Sequence, residues 1–71
     1  RQVLLRPPYE HITFLGTLSE IKADMTTILS NATEVVKVKK EGSGNEVEEK
    51  SRRMNSTVVR GNYVLAIGTK N

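Results

Sequence analysis

The sequence predicts an all-β protein: a small, five-stranded, strongly bent antiparallel sheet that forms an open barrel of the SH3-like kind. β-branched and apolar residues recur in short runs, with Gly, Pro and charged clusters between them, which is typical of strands joined by turns. The middle of the chain is rich in Thr, Val and Ile, which lose χ1 freedom in a helix. Five such runs in 71 residues fit a small barrel.

The first two predicted strands are separated by a pair of prolines. The first strand runs from Val3 to Arg6 and ends at Pro7-Pro8, because proline cannot donate a hydrogen bond to a strand ladder. The second strand alternates its apolar residues from Ile12 to Leu18 on one face, with the period of two that strands show. Gly16 lies on that face and suits a sharp bend where the sheet closes on itself.

The second half of the chain supplies the other three predicted strands. The third covers Thr26 to Lys39. From about residue 40 to residue 53 the chain is strongly charged and rich in glycine at its start, which predicts a flexible charged loop. The fourth and fifth strands, Met54 to Val59 and Tyr63 to Ile67, are predicted to form a hairpin through Arg60-Gly61-Asn62.

Length and composition restrict how such a chain is stabilised. Residues 1–71 make one small domain, and domains of this size usually need disulfides, a metal or association. The sequence has no Cys and a single His, His11, which excludes a disulfide framework and a His/Cys zinc site. Association is therefore the expected route to stability, and no cofactor is expected.

Charge and hydropathy narrow the classes of function. Eleven Lys and Arg against eight Asp and Glu give a formal net charge of +3, which is compatible with RNA as a partner. No apolar run approaches the ~20 residues of a membrane span, so no membrane partner is expected. No residues are spaced as a catalytic triad or a Gly-rich phosphate loop, so the sequence does not predict an enzyme.

Two segments share an unusual order and spacing. They are Gly16-Thr17-Leu18-Ser19-Glu20-Ile21-Lys22-Ala23-Asp24-Met25-Thr26-Thr27-Ile28-Leu29 and Val59-Arg60-Gly61-Asn62-Tyr63-Val64-Leu65-Ala66-Ile67. This arrangement resembles the two halves of the Sm/LSm signature, G-x-L-x-x-F-D-x-x-M-N-x-x-L and V-R-G-N/D-x-V-x-x-I. That family builds small RNA-binding β-barrels that assemble into rings. The resemblance implies the Sm fold, single-stranded U-rich RNA as the ligand, and other Sm/LSm subunits, identical or different, as ring neighbours.

The second segment matches the signature nearly throughout. In the family the matching Arg stacks on a uracil, so the resemblance implies that role for Arg60, with Gly61 and Asn62 shaping the pocket. The chemistry agrees, because a planar guanidinium can stack on a base face. Gly61 would also permit a positive φ and a close approach of the backbone.

The first segment departs from the signature at three polar positions of the implied RNA-binding slot. Lys22 stands where the family has an Asp that orients the pocket, Asp24 where it has a stacking residue, and Thr26 where it has a base-reading Asn. Asp24 has no planar ring or guanidinium on which a base could stack. Thr26 cannot present a hydrogen-bond donor and an acceptor side by side, as an amide does. We therefore expect an altered slot, on a rim where the turns Ile21 to Thr26 and Arg60 to Asn62 meet. The segment matches the family's core positions at Gly16, Leu18, Met25 and Leu29.

Ring formation would use the exposed edges of the sheet. The fourth strand of one subunit is expected to pair with the fifth strand of the next, which satisfies the backbone groups of both edges. The residues expected at this subunit interface are Met54, Ser56, Thr57, Val58, Tyr63 and Leu65.

Two functions remain open at this point. One is a subunit of an RNA-binding ring in pre-mRNA splicing or RNA processing and decay, expected in the nucleus, with the cytoplasm as the alternative. The other is an Sm-fold structural or adaptor subunit that binds protein partners and makes little RNA contact of its own. The changes at Lys22, Asp24 and Thr26 favour the second, and the retained Arg60-Gly61-Asn62 favours the first. The family usually begins with a short helix, which we expect to precede Arg1.

Overall fold

A computed structural model of the chain describes residues 1–39, 42, 44 and 46–69, and it confirms the predicted all-β class. Within these residues, no helix has the length and the apolar character that crossing a membrane requires. The elements in chain order are β1 (Gln2–Leu5), β2 (Ile12–Ile21), β3 (Thr27–Lys39), β4 (Val47–Val59), a 3-10 turn (Gly61–Tyr63) and β5 (Val64–Gly68).

The strands form one antiparallel open sheet in the order β4-β3-β2-β1-β5. The predicted hairpin between the fourth and fifth strands is therefore wrong, since β4 and β5 lie at opposite edges and β5 pairs with β1. The physical reason is the 3-10 turn, in which the Tyr63 N–H donates to the Arg60 carbonyl at 3.0 Å. This turn directs the chain toward β1, where the Arg6 N–H donates to the Tyr63 carbonyl at 2.8 Å.

The flexible loop predicted for residues 40 to 53 is wrong for residues 47 to 53, because β4 begins at Val47. The charges that suggested a loop instead face each other across the β3–β4 ladder. Lys37 lies opposite Glu49, and Arg52 forms a 3.7 Å ion pair with Glu34, which lies opposite it. Such cross-strand pairs of opposite charge stabilise a ladder. The rest of that prediction falls partly on residues 40, 41, 43 and 45, which lie outside the described residues.

The sheet bends at Gly16. Leu15 pairs with Thr33 and Thr17 with Ser30, so Asn31 and Ala32 together lie opposite Gly16 in a β-bulge. Asn31 adopts φ 49°, in the left-handed region that Asn tolerates better than other non-glycine residues. A Cβ atom on residue 16 would lie 3.0 Å from the Ser30 carbonyl oxygen. Close backbone approach therefore accounts for the glycine, in agreement with the expected bend.

The same bulge decides which side chains of β3 face the core. Thr27 and Leu29 are buried, and so is Ala32, although alternation from Leu29 would point Ala32 outward. The extra residue thus reverses the phase of β3 and keeps the inner face continuous around the bend. The apolar residues of β2 pack against this core as the period of two predicted. The buried hydrophobic residues are Val3, Leu5, Leu29, Ala32, Val59 and Val64.

The left-handed residue in the bulge yields the first prediction. Asn31→Val should lower the free energy of unfolding by about 1–2 kcal/mol, because a β-branched residue is strained at this φ. Asn31→Gly is the matched control and should be close to neutral, since Gly adopts this φ without a steric penalty. Urea denaturation at one fixed protein concentration measures both variants. Equal stability of the two would contradict the backbone geometry at Asn31.

Candidate functional site

Two turns that are distant in the sequence contact each other on one rim of the sheet. The Gly61 N–H donates a hydrogen bond to the Thr26 Oγ1 at 3.1 Å. This bond joins the β2–β3 turn to the connection between β4 and β5. The prediction that these two turns fall on the same rim is therefore confirmed.

The β2–β3 turn is held by its own backbone and by one carboxylate. The Lys22 N–H donates to the Thr26 carbonyl at 2.9 Å, and the Met25 N–H donates to the Lys22 carbonyl at 2.9 Å. Asp24 Oδ1 accepts a hydrogen bond from the Thr26 N–H at 3.0 Å, which is the Asx-type bond that such turns favour. Met25 takes φ 73° in this turn, and its side chain is exposed, so the predicted core position is wrong for Met25.

The Asp24 carboxylate is held in its charged form. The hydrogen bond from the Thr26 N–H lowers the pKa of Asp24 from its usual value, as do the Thr26 side chain and the positive charge of Lys22. Hydrogen bonds donated to a carboxylate favour ionisation in this way. Asp24 thus supports the turn rather than standing as an unpartnered charge on the rim, and its other lone pairs remain available as acceptors.

Gly61 permits the two turns to approach each other. A Cβ atom built on Gly61 would overlap the backbone carbonyl oxygen of Asp24 and lie 2.9 Å from the Thr26 nitrogen. A positive φ, which the sequence also suggested for Gly61, is not the reason, because Gly61 is not among the positive-φ residues. The glycine is required by close packing of backbone against backbone.

Arg60 stands at this junction with its guanidinium available. Its backbone is extended, at φ −64° and ψ 141°, and the 3-10 turn begins at the next residue. Within residues 1–39, 42, 44 and 46–69 the guanidinium makes no hydrogen bond or ion pair. Lys22 and Asn62 are exposed on the same two turns, so all six predicted site residues lie on one rim.

The predicted interface residues lie at or beside the two free edges, with two corrections. Val58 on β4 is 61% exposed and Leu65 on β5 is 55% exposed. Tyr63 belongs to the 3-10 turn rather than to β5, because Arg60 to Tyr63 closes that turn. The Met54 side chain is partly buried against the core, so it leaves less side-chain surface for a neighbour than the exposed Val58 does. The remaining two predicted interface residues, Ser56 and Thr57, lie on β4.

A third loop, the β1–β2 connection, also reaches this rim. The Arg6 Nε donates to the Val64 carbonyl at 2.9 Å. The Tyr9 and Tyr63 rings pack edge to face, with centroids 5.5 Å apart and planes at 88°. The sequence signal was weak, because Tyr9 and Tyr63 are far apart in the chain. Beside them is an apolar groove of about 340 Å³, lined by Leu5, Tyr9, Ile12, Phe14, Val58, Val59, Arg60 and Tyr63.

The described part of the chain offers no other site of obvious chemistry. Among its residues, no three His, Asp or Glu side chains come together in a way that could hold a metal ion. His11 is exposed in the β1–β2 loop. The rim is therefore the candidate site. The group on it that can bind a ligand is the free guanidinium of Arg60, which lies beside a rigid pair of turns.

Comparison with known protein families gives a match over most of the chain. A family model described as the LSM domain matches residues 10–69, which include all five residues of β5 and every residue of the rim described above except Leu5, Arg6 and Tyr9. No individual curated protein matches the chain significantly.

The approach of the two turns yields the second prediction. Gly61→Ala should lower the free energy of unfolding by about 1–3 kcal/mol, because the added methyl group must push the Asp24 backbone away. Gly68→Ala is the matched control, since a Cβ there meets nothing within 4 Å. Urea denaturation of the two variants measures the difference. If Gly61→Ala were as stable as Gly68→Ala, the contact between the turns would not exist in solution.

Proposed function

The chain belongs to the Sm/LSm family, and on that premise we propose that it is a subunit of an RNA-binding ring that contacts single-stranded, U-rich RNA through Arg60. Proteins with an LSM domain usually act in RNA-binding ring complexes and are generally not enzymes. The observation that best supports the proposal is the free Arg60 guanidinium beside two turns locked together by the Gly61–Thr26 hydrogen bond.

Arg60 supplies the contact that a base requires. A guanidinium plane stacks on the face of a nucleobase, and its N–H groups attract the phosphate backbone. The rigid turns on either side reduce the entropy that is lost when a ligand binds. Gly61 lets the backbone lie close beneath Arg60, and Asn62 is exposed next to it, where its amide can meet the edge of a base.

The β2–β3 turn contributes a narrower set of contacts in this proposal. The Thr26 hydroxyl accepts from Gly61, and its hydrogen serves the Asp24 carboxylate, so it retains one acceptor lone pair that can meet a base N–H such as that of uracil. Asp24 keeps acceptor capacity for a base N–H, and Lys22 is exposed for a phosphate. The slot thus has a single stacking group, Arg60. The family has a second stacking residue at the position that Asp24 occupies in this chain.

The free edges of the sheet support assembly into a ring. The end of β4, Met54–Val59, carries no charge, and neither does β5, Val64–Gly68. These two uncharged stretches are similar in length, so one can pair with the other from a neighbouring subunit. The outer part of β4, Val47–Arg53, carries five charged residues, and charged edge strands discourage pairing. We therefore assign the interface to Met54–Val59 of one subunit and Val64–Gly68 of the next.

The cellular process in which such a ring would act is inferred from the roles that are common in the family. We propose pre-mRNA splicing or RNA processing and decay, in the nucleus by preference. The ring neighbours would be other Sm/LSm subunits, identical or different. Membership of the family supports this role.

A second candidate is a structural or adaptor subunit whose own RNA contact is slight. The observation that favours it is the engagement of Asp24 and Thr26 in bonds within and between the turns. Side chains that are used to build the rim have less capacity left for a ligand. Under this alternative Arg60 would have no effect on RNA affinity.

The edge assignment yields the third prediction. Val58→Lys should prevent assembly, because a charged side chain on the pairing edge must be desolvated at the interface. Val47→Lys is the matched control: Val47 is 58% exposed on the same strand, close to the 61% of Val58, but lies in the charged part. Light scattering of the purified variants measures the oligomer. An intact oligomer in Val58→Lys, or a lost one in Val47→Lys, would contradict the assignment.

The RNA contact yields the fourth prediction. Arg60→Ala should weaken binding of a short oligo-U RNA by at least about fivefold, the low end of what one stacked base contributes. Lys50→Ala is the control for loss of a positive charge, because Lys50 is exposed on the outer part of β4. Native mass spectrometry with and without the RNA confirms that each variant still assembles. RNA binding that is equal in Arg60→Ala and the unmodified protein would support the adaptor alternative instead.

A further inference from the structure

We propose that the β1–β2 loop forms a second nucleotide subsite next to Arg60, with Arg6 as its phosphate contact and Tyr9 and Tyr63 as its base platform. The ligand is the nucleotide that adjoins the one on Arg60 in the same single strand. The inference rests on the proposed function, since it extends the same RNA path. It is based on the contacts of a loop that the second half of the Sm/LSm signature does not include.

Arg6 is a cation that is already fixed in place. Its backbone N–H donates to the Tyr63 carbonyl at 2.8 Å, and its side-chain Nε donates to the Val64 carbonyl at 2.9 Å. These two bonds hold the Arg6 guanidinium at the start of β5, because the residues that accept them follow Arg60 by three and four positions in the chain. The terminal nitrogens of Arg6 make no hydrogen bond or ion pair to any described residue. A guanidinium held by one nitrogen with its others free is suited to bind a phosphate.

The two tyrosines give this rim an aromatic surface. Tyr9 and Tyr63 are exposed, and their edge-to-face contact at 5.5 Å fixes both rings against each other. Aromatic side chains are a common platform for an unstacked base, and they accept any base because every base has a π-face. Tyr63 is the last residue of the 3-10 turn that begins after Arg60, so the platform continues the proposed slot.

The groove beside the tyrosines favours RNA over an aliphatic side chain of a neighbouring subunit. Arg60 lines the groove together with Tyr9 and Tyr63, and its charge would be costly to bury against an apolar partner without a counter-ion. Arg6 adds a second positive charge near Tyr63. Two cations beside two aromatic rings are complementary to a nucleotide, which has one anionic group and one planar base.

The first test compares Tyr9→Leu with Tyr9→Phe, using labelled oligo-U RNA and the assembled protein. Tyr9→Leu removes the ring and should weaken RNA binding by at least about fivefold, whereas Tyr9→Phe keeps the ring and should bind as the unmodified protein does. Light scattering shows whether each variant remains assembled. Unchanged RNA affinity in an assembled Tyr9→Leu variant would overturn the proposal. Loss of the oligomer in Tyr9→Leu would overturn it as well, because the groove would then belong to the subunit interface.

The second test uses the salt dependence of binding, which a merely structural role of Arg6 would not change. Arg6→Gln should reduce the slope of log affinity against log salt by about 0.7, the value for one phosphate contact on a single strand. Tyr9→Leu should leave this slope unchanged, because the ring makes no phosphate contact. An unchanged slope in Arg6→Gln would overturn the assignment of Arg6.

Arg60→Ala separates this inference from the proposed function. If the unmodified protein binds RNA and Arg60→Ala weakens binding while Tyr9→Leu and Arg6→Gln do not, the subsite alone fails. If the unmodified protein does not bind RNA, or Arg60→Ala has no effect on binding, the proposed function itself fails.

Discussion

The rim of this protein depends on a single close contact between two backbones. Gly61 lies so near the Asp24 carbonyl that no side chain can stand between them, and its N–H donates to the Thr26 hydroxyl. This contact brings the end of β4 beside the end of β2. The pairing of Val59 with Thr27 holds the end of β4 against β3, and the Gly61 contact fixes the position of the residues that follow, including Arg60 on the rim. The positions of Arg60 and β5 both follow from the absence of a Cβ atom at Gly61.

The core that supports this rim is small, which makes the open edges important. Six hydrophobic side chains are buried, and most of β4 is exposed to solvent as far as the structure describes it. A chain with no disulfide has few other sources of stability. Backbone pairing is extensive between β3 and β4 and between β2 and β3, so ladder hydrogen bonds hold most of the described sheet together. Association at β4 and β5 would extend the same ladder and bury Val58 and Leu65, which are exposed in the single chain.

The fold class could be predicted from local pattern, whereas the pairing of strands could not. β-branched residues and a period of two identify β1 and β3 to within one residue and the start of β2, because those signals are contained within each strand. The start of β4 was missed because its charges resemble those of a solvated loop. Only the partner strand shows that Glu49 faces Lys37 and that Arg52 faces Glu34. Likewise, nothing in Arg60-Gly61-Asn62 itself shows whether the chain returns along β4 or crosses to β1.

The candidate site, like the fold, could be predicted in part from the sequence. The meeting of two turns followed from the order of two short segments, and the structure brings those segments together. The part played by Asp24 did not follow, since its bond to the Thr26 N–H depends on the geometry of the turn. The contacts of Arg6 and Tyr9 did not follow from the sequence, because their partners lie more than fifty residues away along the chain. Contacts of that kind are set by the closure of the sheet and leave no local trace in the sequence.

The boundary between the charged and the uncharged parts of β4 has a consequence for the fidelity of assembly. A neighbouring strand that slipped two residues toward the outer part of β4 would bring Arg53 against an apolar residue of β5, with no water to solvate the charge. A slip in the opposite direction would carry it past Val59, where the strand ends. Strand pairing of this type tolerates errors when a sequence is uniform. Under the proposed pairing, the alignment of neighbouring subunits is therefore limited on both sides, by charge at one end of Met54–Val59 and by the end of the strand at the other.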